Sequence, residues 1–135
     1  FRKRTVPVPN LVAFDAGSRE TCMPRRLPTE TPLQALVLAN DPVFVECAVA
    51  LARRATRERT TIDERIARAF RLVCTRAPSA SELTVLRTLY DSRRARYAAT
   101  PDDARALCGD ADADLAAMTL VASAVFSCDA AVVLR

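Results

Sequence analysis

The chain contains no histidine. A Ser/His/Asp or Cys/His relay cannot be assembled within it, nor can a histidine-ligated haem or zinc site. It also lacks any Cys-x-x-Cys pair: Cys22, Cys47, Cys74, Cys108 and Cys128 stand about twenty residues or more apart. That spacing excludes a zinc knuckle, a thioredoxin-like redox pair and covalent haem attachment. Tryptophan is absent, aromatics make up 5%, and there are two glycines. The core must therefore be built from Ala, Val and Leu, and glycine-dependent hairpin turns are disfavoured relative to helices. Long apolar runs are missing too. The longest, Leu115 to Phe126, is interrupted by Thr119 and Ser123 and falls short of the roughly 20 residues needed to span a bilayer.

The 135 residues correspond to one domain, 1–135, and half of them are hydrophobic, enough for a core without metal or disulfide staples. The net charge is +4 and is carried by arginine, since Lys3 is the sole lysine. The arginines are spread along the chain and interleaved with Asp and Glu, the pattern of solvated helix faces. No recognition motif or aromatic stacking platform accompanies them, so nucleic acid is not an expected partner. The sequence starts at Phe1 without Met, which reads as a piece cut from a longer protein.

Residues 1–30 carry Pro7, Pro9, Pro24 and Pro28 without sustained period, predicting an extended arm ahead of a helical core at 31–135. Thr31-Pro32 offers an N-cap, followed by a short apolar stripe of Leu33, Leu36 and Val37. Asp41-Pro42 repeats the device and opens a helix to about Arg57, with Val45, Val49 and Ala52 inward and Arg53, Arg54 and Arg57 near its end. Thr61 with Glu64 and Ser79 with Glu82 form capping boxes. The first opens a helix whose Ile62, Ile66, Phe70 and Val73 share a face; the second opens one with Leu83, Leu86, Tyr90 and Tyr97 together. Both tyrosines are expected to pack with hydroxyls in water. Thr100-Pro101 caps a helix that stops at Gly109, Asp112 or Asp114 caps the next through about Ser127, and Asp129 starts a last turn. The expectation is an all-α compact bundle of five to six helices preceded by an extended N-terminal arm.

Few groups point to chemistry. Asp110, Asp112 and Asp114 alternate as at the start of a calcium loop, but Leu115 stands where the turn glycine belongs and Val121 where the bidentate glutamate belongs. Four cysteines lie in or beside predicted helices and read as small buried hydrophobes. Cys22 differs, having Arg19, Arg25 and Arg26 as neighbours that could lower its pKa, with Glu20 offsetting part of that field. No metal, cofactor or catalytic group is expected from these residues.

The segment Lys3 to Ala52 resembles the C-terminal domain of unknown function of planctomycete cytochrome-C-type multidomain proteins. The resemblance is carried by Phe14, Asp15, Ala16, Ser18, Arg19, Glu20, Cys22, Arg25, Arg26 and Thr29. It continues through Thr31, Pro32, Leu33, Gln34, Ala35, Leu36, Asn40, Asp41 and Pro42. It runs on more loosely towards the C-terminal residues. Gly17 replaces the family's proline, and Glu30 its asparagine. The resemblance implies a position behind a second uncharacterised domain in an exported protein, with haem, if anywhere, bound upstream. An extracytoplasmic location would permit disulfides, with no pairing implied.

These readings converge on a non-catalytic helical accessory domain whose partner is the upstream domain of the same polypeptide, and which self-associates when isolated. Asp15, Arg19, Glu20, Cys22, Arg25, Arg26, Thr31, Gln34, Asn40 and Asp41 form its candidate structural and interaction cluster. The alternative lends that cluster to a composite active site completed by the upstream domain, acting on polysaccharide or a redox substrate. Loss of the full-length protein's function in Arg19→Ala or Cys22→Ser without unfolding would separate the two.

Overall fold

Ala113–Phe126 is the helix around which the others gather, and its sequence explains why. It is apolar on nearly every side, and such a helix has no face to offer water. In the computed structural model, which describes residues 13–14 and 31–132, eight of its fourteen residues are buried. Among the described residues there are seven helices and no strand: α1 (Pro32–Asn40), α2 (Pro42–Glu58), α3 (Ile62–Cys74), α4 (Ala80–Ala99), α5 (Pro101–Cys108), α6 (Ala113–Phe126) and α7 (Asp129–Val132). The architecture is all-α, as the sequence predicts, and the seventh helix is the single turn expected at Asp129. The extended arm expected over residues 1–30 lies outside the described residues, Ala13 and Phe14 excepted.

Helices α2 and α4 make the broadest contacts with α6, and α3 and α5 close the remaining sides. The contact surfaces are small: Ala48, Ala52 and Ala55 of α2, Ala69 of α3, Ala104 of α5, and Ala116, Ala117 and Ala122 of α6 are all fully buried. Alanine lets helix axes approach closely at no cost in helix propensity. Larger groups fill the spaces between, chiefly Ile66, Phe70, Leu86, Tyr90, Met118 and Val121. Thr119, buried in α6, donates its hydroxyl to the Leu115 carbonyl at 2.9 Å, so no polar atom is stranded.

Most helix starts follow the predicted punctuation. Thr61 Oγ1 accepts from the Glu64 N–H while the Glu64 carboxylate accepts from the Thr61 N–H, and Ser79 and Glu82 repeat the exchange. Asp112 is the cap of α6, accepting from the Asp114 and Leu115 N–H groups. Thr100 departs from expectation. It caps α5 without a side-chain bond, because its hydroxyl instead donates to the Arg96 carbonyl of the helix just ended.

The apolar stripe of α1 does not turn to the core: Leu33 and Leu36 are 57% and 59% exposed, and α1 instead buries Gln34 and Leu38. Helix α1 is apolar nearly all round, so its period cannot choose a face, and Gln34 and Leu38, four apart, lie inward together. Cys47, read as a buried hydrophobe, is exposed, because the inward face of α2 is taken by Ala48, Ala52 and Ala55.

Gly109 ends α5 in the left-handed region, φ +81°. A Cβ there would meet only the Arg53 guanidinium, at 3.8 Å, so space is not limiting. Gly109→Ala is therefore expected to cost about 1–2 kcal/mol from backbone conformation alone, read as a fall in denaturation midpoint at unchanged m-value. A loss above that would mean that the substitution also disturbs Arg53.

Candidate functional site

Of the ten cluster residues, Asp15, Arg19, Glu20, Cys22, Arg25 and Arg26 lie outside the described residues. The other four meet at the two ends of α1. Thr31 and Gln34 form a reciprocal capping box: Thr31 N–H donates to Gln34 Oε1 at 3.1 Å, and Gln34 N–H to Thr31 Oγ1 at 3.3 Å. Gln34 is 4% exposed, so its amide belongs to the packed side of the helix. At the far end Asn40 Nδ2 donates to the Leu36 carbonyl, and Asp41 Oδ1 accepts from the Val43 N–H at 2.9 Å. Asp41-Pro42 sits at the 62° elbow between α1 and α2, where proline at the first helical position starts a new axis.

These bonds set the direction in which α1 leaves α2. Thr31 and Asp41 each satisfy backbone donors that a helix start leaves open. The reciprocal partnership of Gln34 with Thr31 was not anticipated, although its Thr-x-x-Gln spacing is the same signal that revealed the boxes at Thr61 and Ser79.

The two helices that meet at this elbow carry exposed apolar side chains. Leu33, Leu36 and Val43 are 57%, 59% and 62% exposed. Phe14 reaches the same region, its ring 6.1 Å from that of Phe44 in α2 at a 56° tilt. Aromatic pairs favour such tilted geometry. The chain ahead of α1 thus contacts the first turn of α2, beside the elbow.

A cleft of about 320 Å³ lies between α2 and α5, lined by Val45, Glu46, Val49, Arg53, Leu107 and Cys108. Arg53 crosses it, donating to the Cys108 carbonyl at 2.8 Å and lying 3.7 Å from Asp110. Its guanidinium is thereby committed to the carboxyl end of α5, where the helix dipole favours a cation.

The three alternating aspartates take three separate structural roles. Asp110 pairs with Arg53, Asp112 caps α6, and Asp114 accepts from the Tyr90 hydroxyl at 2.8 Å and from Arg94. The expectation that Tyr90 keeps a wet hydroxyl is corrected: the ring is 2% exposed and the hydroxyl ends on this carboxylate. Burial, then the hydrogen bond to Asp114, raises the Tyr90 pKa. Partial burial pushes Asp114 up, but the bonds from Tyr90 and Arg94 outweigh it and hold its carboxyl below the usual value.

Other arginines are paired likewise: Arg54 with Glu58, Arg76 with Glu82, Arg87 with Asp63 and Asp91, Arg105 with Asp102. Arg54 and Arg68 hold Glu58 at about 2, and Arg76 with the Ser79 N–H holds Glu82 at about 2. Interleaved pairs of this kind neutralise the basic charge locally. Among the described residues no group of three His, Cys, Asp or Glu is placed to hold a metal ion, and no single helix is long and apolar enough to cross a membrane.

What the helices and the elbow define is an all-α domain with an exposed apolar corner. The chain belongs to the family described as PSD1, protein of unknown function (DUF1553), whose model matches residues 1–90, two thirds of its length. The matched part takes in the elbow and ends inside α4 at Tyr90. No curated protein and no solved structure matches the chain.

Proposed function

We propose that this domain is a non-catalytic accessory module that docks on the domain preceding it in the same polypeptide, with the α1–α2 elbow as the docking face. The observation that carries the reading is the outward placement of Leu33, Leu36 and Val43 while Gln34 turns inward. Exposed apolar groups gathered at one corner mark an interaction surface. The Phe14–Phe44 contact supports it, because it leads the chain from the preceding sequence to that same corner. On this reading the candidate cluster from Asp15 to Asp41 is the tie between the two domains, and its charged residues set the angle at which they meet.

The resemblance of residues 3–52 to domains of planctomycete cytochrome-C-type proteins extends the proposal. The parent protein is exported, this chain itself binds no cofactor, and any haem is held upstream.

The isolated chain is expected to self-associate through the uncovered corner. Sedimentation velocity should show a concentration-dependent shift, and Leu33→Ser with Leu36→Ser should weaken association by about tenfold or more, as removal of central apolar anchors does. Because both side chains already face outward, helicity by circular dichroism should stay unchanged. A wild-type chain that remains monomeric throughout would overturn the proposal.

A further inference from the structure

Cys74 is the last residue of α3, and Cys128 immediately precedes α7. These two helices touch, and both cysteines are free thiols. Phe70, one turn before Cys74 and on the same side of α3, shares with Cys128 the wall of an open apolar depression of about 230 Å³. Arg76, two residues beyond Cys74, lies 4.9 Å over the Phe70 ring and is clamped by the Glu82 carboxylate at 2.7 and 2.9 Å. Glu82 lines the depression as well. Cys128 thus borders the depression, and Cys74 ends the helix whose Phe70 forms another part of its wall. Their electrostatics agree: burial raises both thiols, and the Cys128 sulfur adds to the rise at Cys74. Access differs. Cys74 is 7% exposed, whereas Cys128 is half-buried and borders the depression.

We infer that Cys74 and Cys128 are a thiol pair that closes into a reversible disulfide when the chain meets a small-molecule disulfide, fastening α7 to the end of α3. Cys128, the accessible thiol, reacts first. Its thiolate attacks one sulfur of the small disulfide, forming a mixed disulfide and releasing one small thiolate. The Cys74 thiolate then attacks the Cys128 sulfur and expels the second. Two protein thiols are oxidised to one disulfide, the reagent is reduced to two thiols, and the two protein protons end on them. Helix α7 is one turn long and packs on α3 and α6. A covalent tie would hold this single turn, a helix too short to be stable by itself, against local opening.

The test uses the full chain in a Cys22→Ser, Cys47→Ser background, treated under native conditions at pH 9 with glutathione disulfide. The expected product has lost two hydrogens and carries no glutathione. Digestion with trypsin and an aspartate-specific protease should yield Leu72–Arg76 joined to Asp114–Cys128, and reductant should part them. Adding Cys74→Ser should trap glutathione on Cys128. Adding Cys128→Ser should leave Cys74 unmodified while circular dichroism shows the helices intact. Glutathione retained on Cys128 beside a free Cys74, a bridge from either thiol to Cys108, or no reaction until the helices unfold would each overturn the inference.

Discussion

Phe70→Ala is expected to lower stability by about 3–5 kcal/mol, the range for truncating a buried aromatic. The ring is fully buried in α3, among the residues that pack on α6. Its removal loses apolar burial and leaves a void that alanine-rich neighbours cannot fill, since fixed backbones and short side chains limit collapse. Arg76 also loses the face beneath its guanidinium. Against the roughly 5–15 kcal/mol stability of a domain this size, that loss puts the variant near its unfolding threshold at ordinary temperature. Val85→Ala is the control. Val85 lines the same depression but is 67% exposed, so its truncation should change stability by less than about 0.5 kcal/mol. Denaturant unfolding of both variants separates a packing role for Phe70 from a general sensitivity of that corner.

The sequence made local features legible and left tertiary ones open. Thr61 with Glu64, Ser79 with Glu82 and Asp41-Pro42 announce helix starts because every partner lies within four residues. Gly109 announces an end for the same reason, the left-handed turn being a property of one residue. The helical character of α1 is local, but the face it buries is decided by α2 and α6, and a stretch apolar all round gives no clue. Cys47 is exposed for a related reason: alanines at positions 48, 52 and 55 compete for the inward face and fit it better. Thr100 carries the right cap residue and proline, yet its hydroxyl turns back to donate to the Arg96 carbonyl and accepts nothing from the helix it precedes. At the candidate cluster, the bonds of Thr31, Gln34, Asn40 and Asp41 follow from short-range spacing. The exposure of Leu33 and Leu36 beside them does not, because it depends on what the rest of the molecule leaves uncovered.

The role of Asp114 lay beyond sequence reading, since its partners Tyr90 and Arg94 are 24 and 20 positions away. It links α4 to the start of α6, one of the two broadest helix contacts. Asp114→Ala leaves the hydroxyl of a 2% exposed tyrosine without its acceptor and should cost about 1–3 kcal/mol. Tyr90→Phe in the same background should recover part of that loss by removing the orphaned group, an outcome that ordinary additivity would not give. The carboxylate also has a pH signature. Asp114, Glu58, Glu64 and Glu82 all have folded-state values below their ordinary ones. A depressed carboxylate contributes its stability in full above its unfolded value and loses it as pH falls through the folded one. Stability should therefore hold level down to about pH 5 and decline towards pH 2, the level at which Glu58 and Glu82 titrate. With no histidine in the chain, no imidazole adds a step between pH 5 and 7. Urea midpoints across pH 2–7 should show a shallower acid decline in Asp114→Ala than in the parent. Equal slopes would mean that Asp114 gains nothing from Tyr90 and Arg94 that the unfolded chain lacks, and that α4 and α6 are joined by packing alone.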